Sequence, residues 1–253
     1  MITMNWGEDP EFLGPKHWFR QSLIINEISK IKRTGTVLDF GCGSGTLLLR
    51  LAALGYFGVG IDNSERAINY FNEQIRKNNL KNKITAIVGN EETLTSRKYI
   101  NKLDIIISSE TLEHLRDEKE TIKAFFQDLK KGGLCVITVP AHPDLWDIND
   151  DFSSHFRRYK REQLVKIFQE SGFKIIKIYY WGFPLSYLWH KFIFLPLIEK
   201  KSKTKIRFTG SKNLLGKLLS YKFIKKITAM PFWIDQMFNW TDKGGSLLMI
   251  AEK

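Results

Sequence analysis

The stretch Val37-Leu38-Asp39-Phe40-Gly41-Cys42-Gly43-Ser44-Gly45 sets three glycines at alternate positions between an apolar run and a helix-like pattern. Glycines so placed let the backbone turn tightly and come close to a ligand. A dinucleotide loop spaces them G-x-G-x-x-G to leave room for a pyrophosphate. Here the pattern is G-x-G-x-G, and Thr46 stands where the third glycine would be. No Gly-Lys-Ser/Thr follows, which excludes a P-loop. The Asp39 carboxylate, directly before the glycines, would repel a phosphate and attract an ammonium group. Asp62 ends the run Gly58-Val59-Gly60-Ile61-Asp62, 17 residues after Gly45, where a carboxylate accepts from both hydroxyls of a ribose.

A ligand with a ribose at one end and a cationic amino-acid group at the other is S-adenosylmethionine. Further along lies a second reactive group, Pro140-Ala141-His142-Pro143-Asp144-Leu145-Trp146-Asp147-Ile148-Asn149-Asp150-Asp151 and then His155-Phe156-Arg157-Arg158-Tyr159. His142 and His155 are candidate bases, because an unperturbed imidazole titrates at about 6.5. Each is otherwise a hydrogen bonder that orders its loop. The acids and histidines suit a divalent cation, but no fixed ligand spacing assigns a metal. Arg157 and Arg158 would clamp a phosphate or carboxylate, or pair with Asp150 or Asp151.

Positioning these groups takes alternating elements. Residues 36–139 contain β-branched runs at Thr36–Phe40, Phe57–Ile61, Ile84–Val88, Leu103–Ser108 and Leu134–Val139, with helical patterns starting near Gly45, Ser64 and Asp117. Strand–helix–strand alternation predicts a doubly wound α/β fold with a mostly parallel sheet. A helix over 160–172, a sixth strand at Phe173–Tyr180 and a seventh at Ser246–Ala251 complete seven strands, the last two expected at sheet edges. Lys16 to Lys32 reads as an amphipathic helix placed to cover the carboxyl edge of the sheet, with core packing as the plain alternative for its aromatics. The chain divides into a helical cap (1–35), a core (36–180), an insertion (181–245) and a final strand returning to the core (246–253).

The formal charge of +12 is concentrated in the insertion, where 12 Lys and Arg face 3 Asp and Glu. Such a concentration suggests an anionic partner, with a solvated face as the plain alternative. Asn213 to Met230 carries Leu214, Leu215, Leu218, Leu219, Tyr221, Ile224 and Ile227 on one stripe flanked by Lys217, Lys222, Lys225 and Lys226, a basic amphipathic helix of the interfacial kind. Trp181, Trp189, Trp233 and Trp240 add interfacial anchors. Only Arg207 among the 12 cations is arginine, which favours anionic lipid over RNA. No uninterrupted apolar run is long enough to span a bilayer, since even Phe183 to Ile198 is broken by Pro184, His190, Lys191 and Pro196. Cys42 and Cys135 fall in interior elements and the N-terminus lacks a signal-peptide pattern. The expected location is cytoplasmic, with a peripheral seat on the inner face of the cell membrane.

Taken together, the glycine loop, Asp39, Asp62, the Ser109-Glu110-Thr111-Leu112-Glu113-His114-Leu115 segment and Lys131-Gly132-Gly133 resemble a class I S-adenosylmethionine-dependent methyltransferase with a methyltransferase 11/12-type domain, over about residues 15–180. The resemblance implies that Gly41 to Gly45 touch the methionine part, that Asp62 holds the ribose, and that Asn63, Asn90 and Glu91 lie by the adenine. Relatives often have Asp where Asn90 stands. Glu110 would face the methionine end, while Glu113 and His114 either serve the site or orient the following helix. The His-x-x-Arg-Tyr stretch at His155 resembles the one many bacterial members carry, and that of quinone-pathway O-methyltransferases.

Methyl transfer is an in-line displacement that needs proximity, alignment and a base where the nucleophile carries a proton. Ser108-Ser109-Glu110-Thr111 stands where an Asn-Pro-Pro-Tyr motif would mark an adenine or glutamine amine acceptor. The expected acceptor is therefore a small or amphiphilic molecule, a quinone, phenol or lipid-linked sugar. An RNA methyltransferase and a non-catalytic cofactor-binding subunit are the alternatives.

Overall fold

The computed structural model describes residues 14–95, 99–196, 199 and 222–253. Its strands are β1 (Thr36–Phe40), β2 (Phe57–Asp62), β3 (Ile84–Val88), β4 (Leu103–Ser109), β5 (Leu129–Pro140), β6 (Lys174–Trp181) and β7 (Ser246–Glu252). They form one sheet in the order β3-β2-β1-β4-β5-β7-β6. Neighbours from β3 through β5 run parallel, and β7 runs antiparallel to both β5 and β6. Ile105, Ile106 and Ile107 of β4 and Val136 and Ile137 of β5 have no solvent exposure, as expected where helices cover both faces. The doubly wound, seven-stranded fold follows. One expectation is corrected: β7 is not an edge strand. It pairs along its length with β5 on one side and β6 on the other, so the edges are β3 and β6.

The helices of the core are α1 (Pro15–Ile31), α2 (Thr46–Ala53), α3 (Glu65–Lys77), α4 (Glu91–Thr95), α5 (Glu118–Asp128), α6 (Ile148–Phe152) and α7 (Arg161–Glu170). Ser64 and Asp117 start α3 and α5 by accepting the backbone N–H groups of Ala67 and Glu120. α1 takes the core-packing alternative. Its stripe of Phe19, Leu23, Ile24 and Ile28 joins Ile105, Ile107, Val136 and Leu248 in the core on one sheet face. Each such fully buried side chain contributes about 1.5–3 kcal/mol. Only its first turns reach the carboxyl edge, where Gln21 donates to Thr46 at the start of α2 over 2.6 Å.

Between β6 and β7 lie α8 (Leu185–Trp189), a π-helical turn (His190–Phe194), α9 (Lys222–Ala229) and a 3-10 run (Met230–Phe238). The expected basic helix over Asn213–Met230 falls in part outside the described residues, at 213–221; α9 is the described part. The buried Asp235 accepts the backbone N–H groups of Leu185 and Ser186 at 2.7 and 2.9 Å, tying α8 to the 3-10 run. Phe232 and Ala229 enter the same core as α1. Where the chain returns to β7, a Cβ on Gly244 would come within 2.5 Å of the Trp181 backbone, so only glycine allows this approach. Among the described residues no helix is long and apolar enough to cross a membrane.

Candidate active site

Strand order reverses between β1 and β4, and ligands of open α/β sheets bind at the carboxyl ends of strands on either side of such a point. The glycine loop lies there. Gly41, Gly43 and Gly45 all have positive φ, at 75°, 52° and 72°. A Cβ on Gly41 would strike Thr111 and one on Gly45 would strike the Phe71 ring, each at 2.2 Å. Asp62 at the end of β2 accepts the backbone N–H of Gly43 at 2.7 Å and of Ser64 at 2.9 Å. Asp39 is 2% exposed. Burial, and then the neighbouring Asp62 carboxylate, push it up to about 7, with the Arg20 guanidinium acting the other way.

Asn63 is exposed beside Asp62. Gly89 donates its N–H to the Asp62 carbonyl at 2.9 Å, which brings the turn at Asn90 and Glu91 to the end of β2. The Asn90 amide oxygen accepts the Glu92 N–H at 3.1 Å, so its second lone pair and its NH2 group are what it offers a base. Glu110, at the end of β4, adopts φ +56°, a conformation that non-glycine residues rarely hold without a functional constraint. Its Oε2 lies 3.7 Å from the Arg20 guanidinium, and its buried Oε1 has no hydrogen-bond partner. Arg20 Nε is likewise buried and unpartnered. Sequence reasoning missed Arg20. The available signal was that His17, Arg20 and Gln21 form a polar patch at the start of the apolar stripe of α1, where His17 bonds to both.

The structure gathers Asp147, Asp150, His155 and Arg158 into one network. Arg158 grips the buried Asp150 with both Nε and Nη2, the shortest contact being 2.6 Å, and Asp150 in turn holds His155 Nδ1 at 2.8 Å. Although burial raises it, the bonds from His155 and Arg158 hold Asp150 down at about 2. His155 Nε2 faces Glu113 at 4.0 Å. Glu113 has no solvent exposure and neither carboxylate oxygen has a hydrogen-bond partner, so burial, then the Glu110 charge, raise it well above the ordinary carboxylate range. His114 packs edge-on against His155 at 4.7 Å, and burial together with that imidazole pushes it down to about 4. Ligand-capable atoms of Glu113, His114 and His155 all lie within 4.8 Å of one another.

His142 stands apart from this group. It has φ +58°, stacks on Tyr180 at 4.7 Å and 12°, and buries an unpartnered Nε2. Arg157 pairs with Glu118 and donates to the Arg116 carbonyl, and Asp151 accepts from the Trp146 indole at 2.9 Å. Of the pairings expected for the two arginines, Arg158 with Asp150 is the one that forms.

A family model described as a methyltransferase domain matches residues 19–178. The chain belongs to the methyltransferase family. Curated relatives of this methyltransferase include the ubiquinone biosynthesis O-methyltransferases of Pelagibacter ubique, 38% identical over 101 residues covering 40% of each chain, and of Rickettsia typhi, 30% identical over 142 residues covering 53% of this chain and 54% of that one. The methyltransferase thus spans about half the length of these relatives, or less. Among solved structures, phosphoethanolamine N-methyltransferase 2 of Haemonchus contortus in complex with S-adenosyl-L-methionine aligns with a TM-score of 0.65 at 19% identity, over 98% of this chain and 55% of that one. The [4+2]-cyclase SpnF aligns at 0.63 and 18%, over 94% and 81%. These likenesses show the fold alone.

The chain carries a methyltransferase domain, and S-adenosylmethionine is the cofactor that its sequence resemblance implies. The cleft of the methyltransferase fits that cofactor: a backbone cradle that a Cβ would fill, a buried carboxyl able to meet a cation, and two orphaned polar atoms at Arg20 and Glu110.

Proposed function

We propose that this methyltransferase methylates an oxygen of a small or amphiphilic acceptor, of the quinone, phenol or lipid-linked kind, presented at an anionic membrane surface. The observation that carries the oxygen reading is His155, whose Nδ1 is held by Asp150 at 2.8 Å. With Nδ1–H donated to that carboxylate, Nε2 is the basic atom, which is what removal of a hydroxyl proton requires. Similarity to the ubiquinone biosynthesis O-methyltransferases supports the same reading. The many lysines and exposed aromatics of the insertion support the membrane.

S-adenosylmethionine, when bound, supplies a methyl carbon on a positively charged sulfur, open to in-line displacement by an oxygen lone pair. In this reading Asp39, Glu110, Arg20 and the Gly41–Gly45 backbone hold the amino-acid end, Asp62 accepts from the ribose hydroxyls, and Asn63, Asn90 and Glu91 flank the adenine. His155 takes the acceptor proton at Nε2, and Asp150 stabilises the imidazolium that forms. His142, fixed against Tyr180, borders the acceptor space after β5.

The orphaned Glu113 carboxylate favours a second contributor. Glu113, His114 and His155 would together hold a divalent cation, which lowers the pKa of a coordinated hydroxyl. Dialysis against a chelator separates the two: a cation role predicts activity lost and then restored by an added imidazole-binding divalent cation such as zinc, whereas His155 acting alone predicts no change.

The test of function is incubation with methyl-labelled S-adenosylmethionine and a whole extract of cells lacking the enzyme, followed by counting label in organic-soluble, RNA, protein and small-molecule fractions. Label in the organic phase supports the proposal. Label in RNA overturns it and reassigns the basic insertion to nucleic acid. Cofactor binding without label anywhere points to a non-catalytic subunit.

A further inference from the structure

The insertion and the acceptor-side network meet at one side chain. Asp147 Oδ2 accepts from His190 Nε2 at 2.8 Å, and Arg158 Nη2 approaches the same oxygen at 3.4 Å. Its other oxygen, Oδ1, caps α6 by accepting the Asn149 N–H at 2.8 Å, while the Asp150 carboxylate accepts the Asp147 N–H at 2.8 Å. From Asp150 the network passes to His155. An unbroken path of polar contacts therefore runs from the insertion through Asp147, Arg158 and Asp150 to the imidazole assigned as base.

His190 is well placed to carry a signal. It opens the π-helical turn, a geometry that recurs at functional sites because its wider hydrogen-bond ladder costs stability. Two and three residues on, Phe192 and Ile193 are 65% and 44% exposed, so the same short turn presents a polar group inward and apolar groups outward. The turn continues α8, which is anchored by the buried Asp235 and by Trp189 against Phe232, with ring centroids 6.1 Å apart. His190 and the exposed Phe192 and Ile193 thus share one short turn that is tied to the core.

We infer that Asp147 and His190 are positioning residues that couple the seating of α8 and the π-helical turn to the aim of His155. The coupling rests on the assignment of His155 above only for its effect on turnover. With His190 in place, α6 and Asp150 are held so that the His155 ring is fixed with Nε2 toward Glu113. With it displaced, Asp147 keeps Arg158 as its side-chain partner, and α6 and the ring it aims are free to shift.

The test uses the full chain carrying 15N-labelled histidine, with the His155 ring signals assigned through His155→Gln. Wild type, His190→Ala, His190→Gln and Asp147→Asn are compared at one pH, with S-adenosylmethionine binding as the control for folding. His190→Gln keeps a side-chain N–H for Asp147. The coupling predicts that His190→Ala and Asp147→Asn change the His155 ring nitrogen shifts while cofactor binding stays within about twofold of wild type, and that His190→Gln restores them. Methyl transfer into the organic fraction falls about tenfold or more in parallel. Unchanged His155 signals in both His190→Ala and Asp147→Asn overturn the inference. Shifted signals with undiminished transfer, in these variants and in His155→Gln, uphold the coupling and refute His155 as the base instead.

Discussion

Asp39 retains its proton to about 7 in the ligand-free protein, so binding a cation there includes ionising a buried acid. Cofactor affinity should therefore strengthen as pH rises from about 5.5 to 7.5, and Asp39→Asn should flatten that slope; calorimetric titration across the range checks both. Asp150 is the opposite case. Its folded value near 2 lies below the ordinary 3.8, so its contribution to stability is fully present above about pH 4 and disappears as pH falls toward 2. Asp150→Asn leaves Arg158 with a weaker, neutral partner and should cost about 3 kcal/mol near neutral pH, by urea unfolding. The difference from wild type should shrink below pH 4. His155→Ala should leave cofactor binding intact and cut methyl transfer by about a hundredfold or more, measured as label transferred per minute.

The glycine loop and α1 carry the site at the scale of elements. Gly45→Ala sets a Cβ against Phe71 in a backbone conformation alanine resists, so α3 must retreat. A loss of about 2–3 kcal/mol together with loss of cofactor binding is expected in parallel unfolding and titration experiments. Much of this level was legible in the chain. The loop spacing, the helix starts near Ser64 and Asp117 and the seven strands all follow from local patterns that local physics enforces. The place of β7 was not, because pairing between Ser246–Glu252 and β5 is decided by packing across more than a hundred residues. Arg20 is hidden for a related reason: the polar patch of His17, Arg20 and Gln21 at the start of the helix reads as surface until the helix is laid against the sheet. The Asp150, His155 and Arg158 side chains were in view as a group, but their partnerships need the turn of α6 to fold Asp150 back, five and eight residues from its partners.

Among the described residues of the insertion, Phe192, Met230, Ile234, Met237 and Trp240 are between 50% and 84% exposed, in a stretch whose sequence is rich in lysine. Vesicles of phosphatidylglycerol should sediment the protein at low salt and release part of it at high salt, and a Met237→Ser/Trp240→Ser double variant should weaken the salt-resistant fraction. Phosphatidylcholine vesicles should sediment less. Trp181 pairs with Ser246, so the 64 residues between them amount to one greatly enlarged hairpin loop. Closing a loop of that length costs roughly 2.5 kcal/mol more than closing a four-residue turn. Topology would thus permit the region to be exchanged for a short turn or for another cap, leaving the sheet and the cofactor cleft connected as before. Packing would not permit it without repair, since Phe232 and Ala229 cover Phe19 and Trp181. The insertion is an interchangeable module with a rooted base, and a transplanted cap would have to bring its own replacement for that root.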